Sequence, residues 1–213
     1  MCRLLLVKSQ NEFPIVDHLR QFVHIAKHSR EYQGHGWGCA FLIDNEWQIY
    51  KNIKPIWEDD LEQLGKTTQL LAHARSAFRD EGIRVENNMP FQKEGIIYIF
   101  NGELQGVKIK EQGRIGAEKI FNYILRFHNG DLLQALKKGI EIIQKRTAYV
   151  RAINIIVSDK RKVYVSSGFN EDFDYFTMHY KKSDDRLLIC SEPYEGESDW
   201  HKIPNHTIKV FEL

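Results

Sequence analysis

Met1-Cys2-Arg3-Leu4-Leu5-Leu6-Val7-Lys8 opens the chain, and the architecture of the rest follows from what this stretch is. Four consecutive apolar residues, Leu4 to Val7, read as the centre of a buried strand over Cys2 to Lys8. Such a strand draws the amino terminus into the fold, whereas chain ends ordinarily fray at the surface. The cysteine in second position adds chemistry. An initiator methionine is generally removed ahead of a small side chain, and Cys2 would then carry both a thiol nucleophile and a free α-amine. The ordinary pKa of that amine, roughly 8, suits a base near neutral pH. The simpler reading of Cys2 is a small apolar residue at the start of a buried strand.

Moving outward, Pro14 to Ser29 places Ile15, Leu19, Phe22, Val23 and Ile25-Ala26 at helical spacing. The glycine-rich Gly34-His35-Gly36-Trp37-Gly38 then feeds a strand, Cys39 to Ile43. Asp44-Asn45 is turn chemistry, and Trp47 to Tyr50 returns as the second arm of a hairpin. A polar helical segment is expected over Asp59 to Gly65, and strands over Gln69 to Phe78 and Gly95 to Phe100. The second of these is expected to stop at Asn101-Gly102, a turn dipeptide. Gly116 to Phe127 and Asp131 to Gln144 read as helices separated by the stop signal Asn129-Gly130. Five strands complete the chain: Ala152 to Val157, Lys162 to Ser167, Tyr175 to Tyr180, Arg186 to Cys190 and Thr207 to Phe211. Strands, two central helices and strands again, without regular βαβ alternation, indicate an α+β fold with antiparallel sheets.

The 213 residues support one substantial core, so one domain is expected over residues 1–213. A net charge of +1, with Lys and Arg dispersed among nearly equal Asp and Glu, argues against a nucleic-acid partner. Lys108, Lys110 and Arg114 read as a solvated surface. The opening apolar run is too short for a signal-peptide core or a membrane span, and no other stretch approaches the ~18 residues a span needs. Cys2, Cys39 and Cys190 are too few and too scattered for a disulfide framework, and no Cys-x-x-Cys pair suggests zinc. A reducing cytoplasm and no membrane association are expected. His24 and His28 stand at i, i+4, but no adjacent glutamate or third ligand accompanies them, and they read as a polar helix face rather than a metal site.

Four separated segments gain meaning together: Met1-Cys2-Arg3-Leu4-Leu5, His35-Gly36-Trp37-Gly38, His73-Ala74-Arg75 and Asn101-Gly102-Glu103-Leu104. In these, and in Ser191-Glu192-Pro193 with the later Trp200 and Ile203-Pro204, the chain resembles the class II glutamine amidotransferases. Within them it is similar to the stand-alone branch that includes the ergothioneine-pathway γ-glutamyl amidohydrolase. The resemblance implies the N-terminal-nucleophile hydrolase fold, a four-layer α-β-β-α sandwich of two antiparallel sheets. It also implies hydrolysis of the carboxamide of glutamine or a γ-glutamyl compound through a thioester on Cys2, with no metal or organic cofactor. The ammonia is either released by a stand-alone enzyme or passed to a separate synthase subunit.

Amide hydrolysis needs a nucleophile, a proton acceptor, donors for the oxyanion and a grip on the substrate. Cys2 supplies the first two. The resemblance gives the oxyanion donors to Asn101 and Gly102, which otherwise read as a plain strand-end turn. Arg75 suits a planar carboxylate, or an internal ion pair. His73 reads equally as a brace for the site. Trp37 and Gly36 let backbone approach the nucleophile, or are a buried aromatic and its glycine kink.

Three departures from the family pattern stand out. Met89 occupies the place of a histidine in Asn87-Asn88-Met89-Pro90-Phe91, and His35 that of an aspartate. Gly116, in Ile115-Gly116-Ala117-Glu118, replaces the aspartate expected to hold the substrate's α-ammonium. Glu118 or Glu103 are the compensating carboxylates to consider. Otherwise the substrate lacks a free amine there, as for an Ntn amidase of a non-glutamyl amide. A catalytically silent Ntn-fold binding or regulatory domain is the remaining reading.

Overall fold

The opening strand extends further than its four apolar residues indicate. In the computed structural model, which describes residues 1–213 with the side chain of residue 80 excepted, strand β1 runs Arg3–Pro14. In chain order there follow α1 (Ile15–Lys27), β2 (Trp37–Ile43), β3 (Glu46–Asn52), β4 (Lys66–Ala74), β5 (Phe91–Lys93), β6 (Ile96–Gln105), α2 (Gly116–Leu125) and α3 (Leu132–Lys145). After them come β7 (Tyr149–Ser158), β8 (Val163–Ser167), a short α4 (Phe173–Phe176), β9 (His179–Lys182), β10 (Arg186–Cys190), β11 (His201–Lys202) and β12 (Thr207–Phe211).

A seven-stranded sheet has the order β11-β9-β10-β1-β4-β2-β3, and a five-stranded sheet the order β12-β8-β7-β6-β5. All their pairings are antiparallel. Side chains alternate between faces along a strand, and the two faces of the larger sheet enter different clusters. Leu5, Val7, Cys39, Phe41, Leu70, Ala72 and Cys190 pack with Ile15, Leu19 and Phe22 of α1. Leu4, Leu6, Ala40, Leu71 and Ile189 pack towards the smaller sheet. On the far side of that sheet Tyr98 stacks on Phe121 of α2, with centroids 4.7 Å apart. Helix, sheet, sheet and helix pair are thus the four layers expected.

Asp44 and Asn45, at φ 50° and 61°, form the turn of the β2–β3 hairpin. The break at Asn129-Gly130 is completed by Asp131, whose side chain accepts from the Gln134 N–H at 3.0 Å and caps α3.

Three expectations are corrected. Residues 59–65 form no continuous helix: short 3₁₀ turns occupy Ile56–Glu58 and Glu62–Leu64, because Asp59 is extended and its side chain bonds to strands β2 and β3 instead. Tyr175 stands in α4 rather than in a strand, since the Asp172 carbonyl accepts the N–H groups of Tyr175 and Phe176 and starts a helical turn. Asn101-Gly102 is not a turn. Both residues lie inside β6, paired with Asn154 and Ile153 of β7, so the strand continues through them to Gln105.

Candidate active site

Alternation along β1 puts Cys2 on the face of Leu4 and Leu6, between the two sheets. The ladder Arg3↔Ala74 and Leu4↔His73 sets Cys2, one step further, opposite Arg75. The ladder ends there. Cys2 Sγ lies 3.5 Å from the Ser76 amide nitrogen and 3.6 Å from the Ser76 carbonyl oxygen, with only 9% of the residue exposed. Burial pushes the Cys2 thiol up from its ordinary value. The N-terminal ammonium, the Ser76 amide and the Arg75 guanidinium act in the opposite direction, and Glu31 adds to the rise.

Arg75 is buried and fixed at both ends. Its backbone N–H bonds to Gly36 O at 2.9 Å, and its carbonyl accepts from His35 N at 3.1 Å. Nη1 donates to Asn88 Oδ1 at 3.2 Å and Nη2 to Gly82 O at 2.9 Å. Both acceptors are neutral, and no carboxylate pairs with the guanidinium among the described residues. Gly36, at φ +101°, is required by this packing: a Cβ there would stand 2.2 Å from Asn88 Nδ2 and 2.8 Å from Asn52 O.

His73 lies on the same face as Arg75 and is fully buried. Neither ring nitrogen makes a hydrogen bond of normal geometry among the described residues. Burial first, then the Arg75 charge, pull its pKa down to about 3, so the ring is neutral at physiological pH.

From the facing sheet, Asn101 is 1% exposed and its Oδ1 has no partner. A buried acceptor left without a donor costs about 1–3 kcal/mol, a cost that a donor group on a bound ligand would remove. Gly102 is set up differently. Ile153 donates to Gly168 O, and Arg151 O accepts from Asn170, so odd-numbered residues of β7 direct their backbone groups towards β8. Gly102, opposite Ile153, therefore belongs to a non-hydrogen-bonded pair and turns its N–H away from β7. Strand β5 pairs with β6 only as far as Tyr98, which leaves that N–H without a ladder partner. A Cβ on Gly102 would stand 2.2 Å from Ala152 O, so only glycine fits.

The ends of the two sheets are tied by charge. The Met1 ammonium pairs with Glu31, whose other oxygen accepts from Arg151 at 3.2 Å. Arg151 in turn pairs with Glu103, next to Gly102, at 3.3 Å and with Asp172 at 2.5 Å. A single ionic chain thus connects the residue ahead of Cys2 to the Asn101-Gly102 segment.

Cys2, His73 and Arg75 therefore share one face. Trp37 is not brought to it. As an odd-numbered residue of β2 it enters the α1 layer, fully buried, where Nε1 donates to Asp59 Oδ2 at 2.8 Å. Glu31, Gln33, Arg151 and Tyr175 lie outside every motif of the sequence, and Asn88 lies within Asn87-Asn88-Met89-Pro90-Phe91 without a role having been read for it. Neither of two surface cavities, of about 200 and 350 Å³, includes Cys2 or Arg75 in its lining.

No protein-family model and no curated protein matches the chain. Solved structures do. A glutamine aminotransferase class-II domain protein from Silicibacter pomeroyi superposes with a TM-score of 0.70 at 15% identity, over 99% of this chain and 95% of that one. A predicted glutamine amidotransferase from Pseudomonas aeruginosa gives 0.62 at 15% identity, over 99% and 97%. The glutamine phosphoribosylpyrophosphate amidotransferase from B. subtilis gives 0.73 at 14%, over 99% of this chain but only 47% of that longer one. At these identities the likeness is one of fold.

Proposed function

We propose that residues 1–213 form one glutamine-amidotransferase-type-2-like domain, an N-terminal-nucleophile amidohydrolase that cleaves the carboxamide of glutamine or a γ-glutamyl compound. The observation that carries this reading is the Cys2 thiol between the sheets, against the Ser76 backbone and beside a buried Arg75 that has no carboxylate partner among the described residues. With Cys2 as first residue, its amine takes the thiol proton directly or through water, and sulfur attacks the amide carbon. The oxyanion is received by the Gly102 N–H and the Asn101 amide, the leaving nitrogen is protonated and departs, and water cleaves the γ-glutamyl thioester. The Arg75 guanidinium holds the substrate carboxylate in place of Gly82 O and Asn88. The enzyme acts in the cytoplasm as a stand-alone hydrolase, or yields its ammonia to a separate synthase subunit.

One observation favours a second reading, an amide without a free ammonium next to its carboxylate. Gly116 opens α2 into empty space. The two candidate compensating carboxylates are both engaged: Glu118 with Arg114 through Nε and Nη2, and Glu103 with Arg151.

The test is amine release, by protein whose first residue is verified by mass as Cys2, from glutamine, γ-glutamyl amides, glutaramate-type amides lacking the α-amine, and simple acyl amides. Turnover of γ-glutamyl substrates supports the first reading, preference for the deaminated series the second. Inertness towards all of them refutes both.

A further inference from the structure

The best-defined polar cage in the molecule surrounds the residue ahead of the thiol. The Met1 ammonium rests on the Glu31 carboxylate. The Met1 carbonyl accepts from Gln33 Nε2 at 2.7 Å and from the Tyr175 hydroxyl. Gln33 is fully buried and its Nε2 also reaches Glu31 O at 2.7 Å, yet its Oε1 has no partner. Tyr175 is held from behind by the Arg3 guanidinium, 3.9 Å from its ring centroid. Glu31 is braced by Arg151. Burial alone would raise the Glu31 carboxyl; the ammonium and Arg151 outweigh it and hold it below the ordinary value. The Met1 ammonium thus occupies one carboxylate oxygen, while the oxygen of the Gln33 amide whose nitrogen holds the Met1 carbonyl stays unpartnered among the described residues.

We propose that Glu31, Gln33 and Tyr175 form a seat for an amino terminus and that, once the residue ahead of Cys2 is removed, this seat holds the Cys2 α-amine in position as the base. The inference rests on the amidohydrolase reading above and gives Glu31 and Gln33 a positioning role in it. Consecutive backbone nitrogens lie about 3 Å apart, so the new amine arises within about 3 Å of the point where Glu31 holds the present one. A small shift lets it donate to Glu31, and a second N–H finds the Gln33 oxygen that lacks a partner. The amine then remains on the side of its own sulfur rather than swinging out with the chain end.

The charged and titratable groups facing the seat include the Cys2 thiol ahead of β1, Arg3 of β1, Arg75 just past β4, Glu103 of β6 and Arg151 of β7. Around them lie Arg30, which follows α1, Asp172 ahead of α4, Tyr175 within it, and Glu192, which pairs with Arg3. Glu31 stabilises the protonated amine, and Arg151 moderates it. Removing the Glu31 charge therefore lowers the amine pKa and moves the acid limb of kcat/KM to lower pH.

The experiment uses protein beginning at Cys2, its thiol reversibly blocked, and measures the amine pKa by competitive acylation over pH with peptide mass mapping. Wild type is compared with Glu31→Gln, Glu31→Asp and Gln33→Leu, and kcat and KM for the turned-over amide are measured on unblocked protein. The seat predicts a lower amine pKa in Glu31→Gln and partial recovery in Glu31→Asp. It also predicts kcat losses of about 10- to 100-fold in Glu31→Gln and Gln33→Leu, with KM changed little and the acid limb moving with the amine. An amine pKa unmoved in both Glu31→Gln and Gln33→Leu overturns the seat, whether or not the protein hydrolyses amides. A moved pKa in protein that hydrolyses none of the test amides leaves the seat standing and removes its catalytic role.

Discussion

The two faces of the seven-stranded sheet surround cysteine differently. On the α1 side, Cys39 and Cys190 stand among Leu5, Val7, Phe41 and Leu70. Burial pushes both thiols up, Cys190 to about 12 and Cys39 further. On the inter-sheet side, Cys2 is 9% exposed and burial raises its thiol too, against an ammonium, a backbone N–H and a guanidinium. Backbone N–H groups and the Arg3 guanidinium oppose burial at Cys190 as well, so what distinguishes Cys2 from both other thiols is the ammonium beside it.

Substitution at the three positions should separate the faces most sharply. Cys2→Ala is expected to lower amide hydrolysis at least about 1,000-fold. Cys39→Ala and Cys190→Ala should leave kcat/KM within a small factor while each costs about 1 kcal/mol of stability, read from chemical denaturation. Loss of activity in either of the latter at unchanged stability would erase the distinction between the faces.

The facing sheet should show the next largest effect. Asn101→Ala is expected to reduce kcat by about 100- to 1,000-fold in steady-state assays, as for removal of one oxyanion donor, with KM little altered. A change confined to KM would move Asn101 from oxyanion binding to substrate binding.

Arg75→Ala should chiefly raise KM, with kcat/KM down about 10- to 100-fold, the worth of a charge-assisted hydrogen bond. Substrates lacking the carboxylate should lose nothing. A uniform loss across both substrate types would instead indicate that Arg75 is a strut for the segments around Gly36 and Gly82.

The smallest effect compares one histidine on each face. Burial lowers the pKa of His18, which meets the Tyr194 hydroxyl at 3.1 Å in the α1 layer, to about 4, and that of His73 to about 3. The unfolded chain takes up these protons near pH 6.5, and the folded chain does so only near 4 and below. Stability is thus fully present above pH 6.5 and is lost as pH falls from 6.5 towards 4. Thermal melting across that window should fall less steeply in His18→Asn than in wild type; identical slopes would remove His18 from the account.

The sequence showed the scaffold more readily than the site. The apolar run Leu4 to Val7, the Asp44-Asn45 turn and the spacing of Ile15, Leu19 and Phe22 are local signals, and each formed the element it indicated. Asn101-Gly102 misled because a turn dipeptide was read without its partner strand: pairing to Asn154 and Ile153, separated by some fifty residues, overrides local turn preference. Trp37 misled because a motif records proximity in sequence, and alternation in β2 sends neighbouring residues to opposite faces. Glu31, Gln33, Arg151 and Tyr175 were illegible for the same reason in reverse, since three separated segments meet only in the folded chain.

The central claim is that the sulfur of Cys2, alone of the three, is the nucleophile of a glutamyl-binding pocket. Incubation of Cys2-initiated protein with the glutamine-like electrophile diazo-oxo-norleucine, followed by peptide mapping, tests it directly. The account predicts one adduct, on Cys2, suppressed by excess substrate and absent from Cys2→Ala. An adduct on Cys39 or Cys190, or an unmodified Cys2 in protein that nonetheless releases ammonia from glutamine, would contradict it.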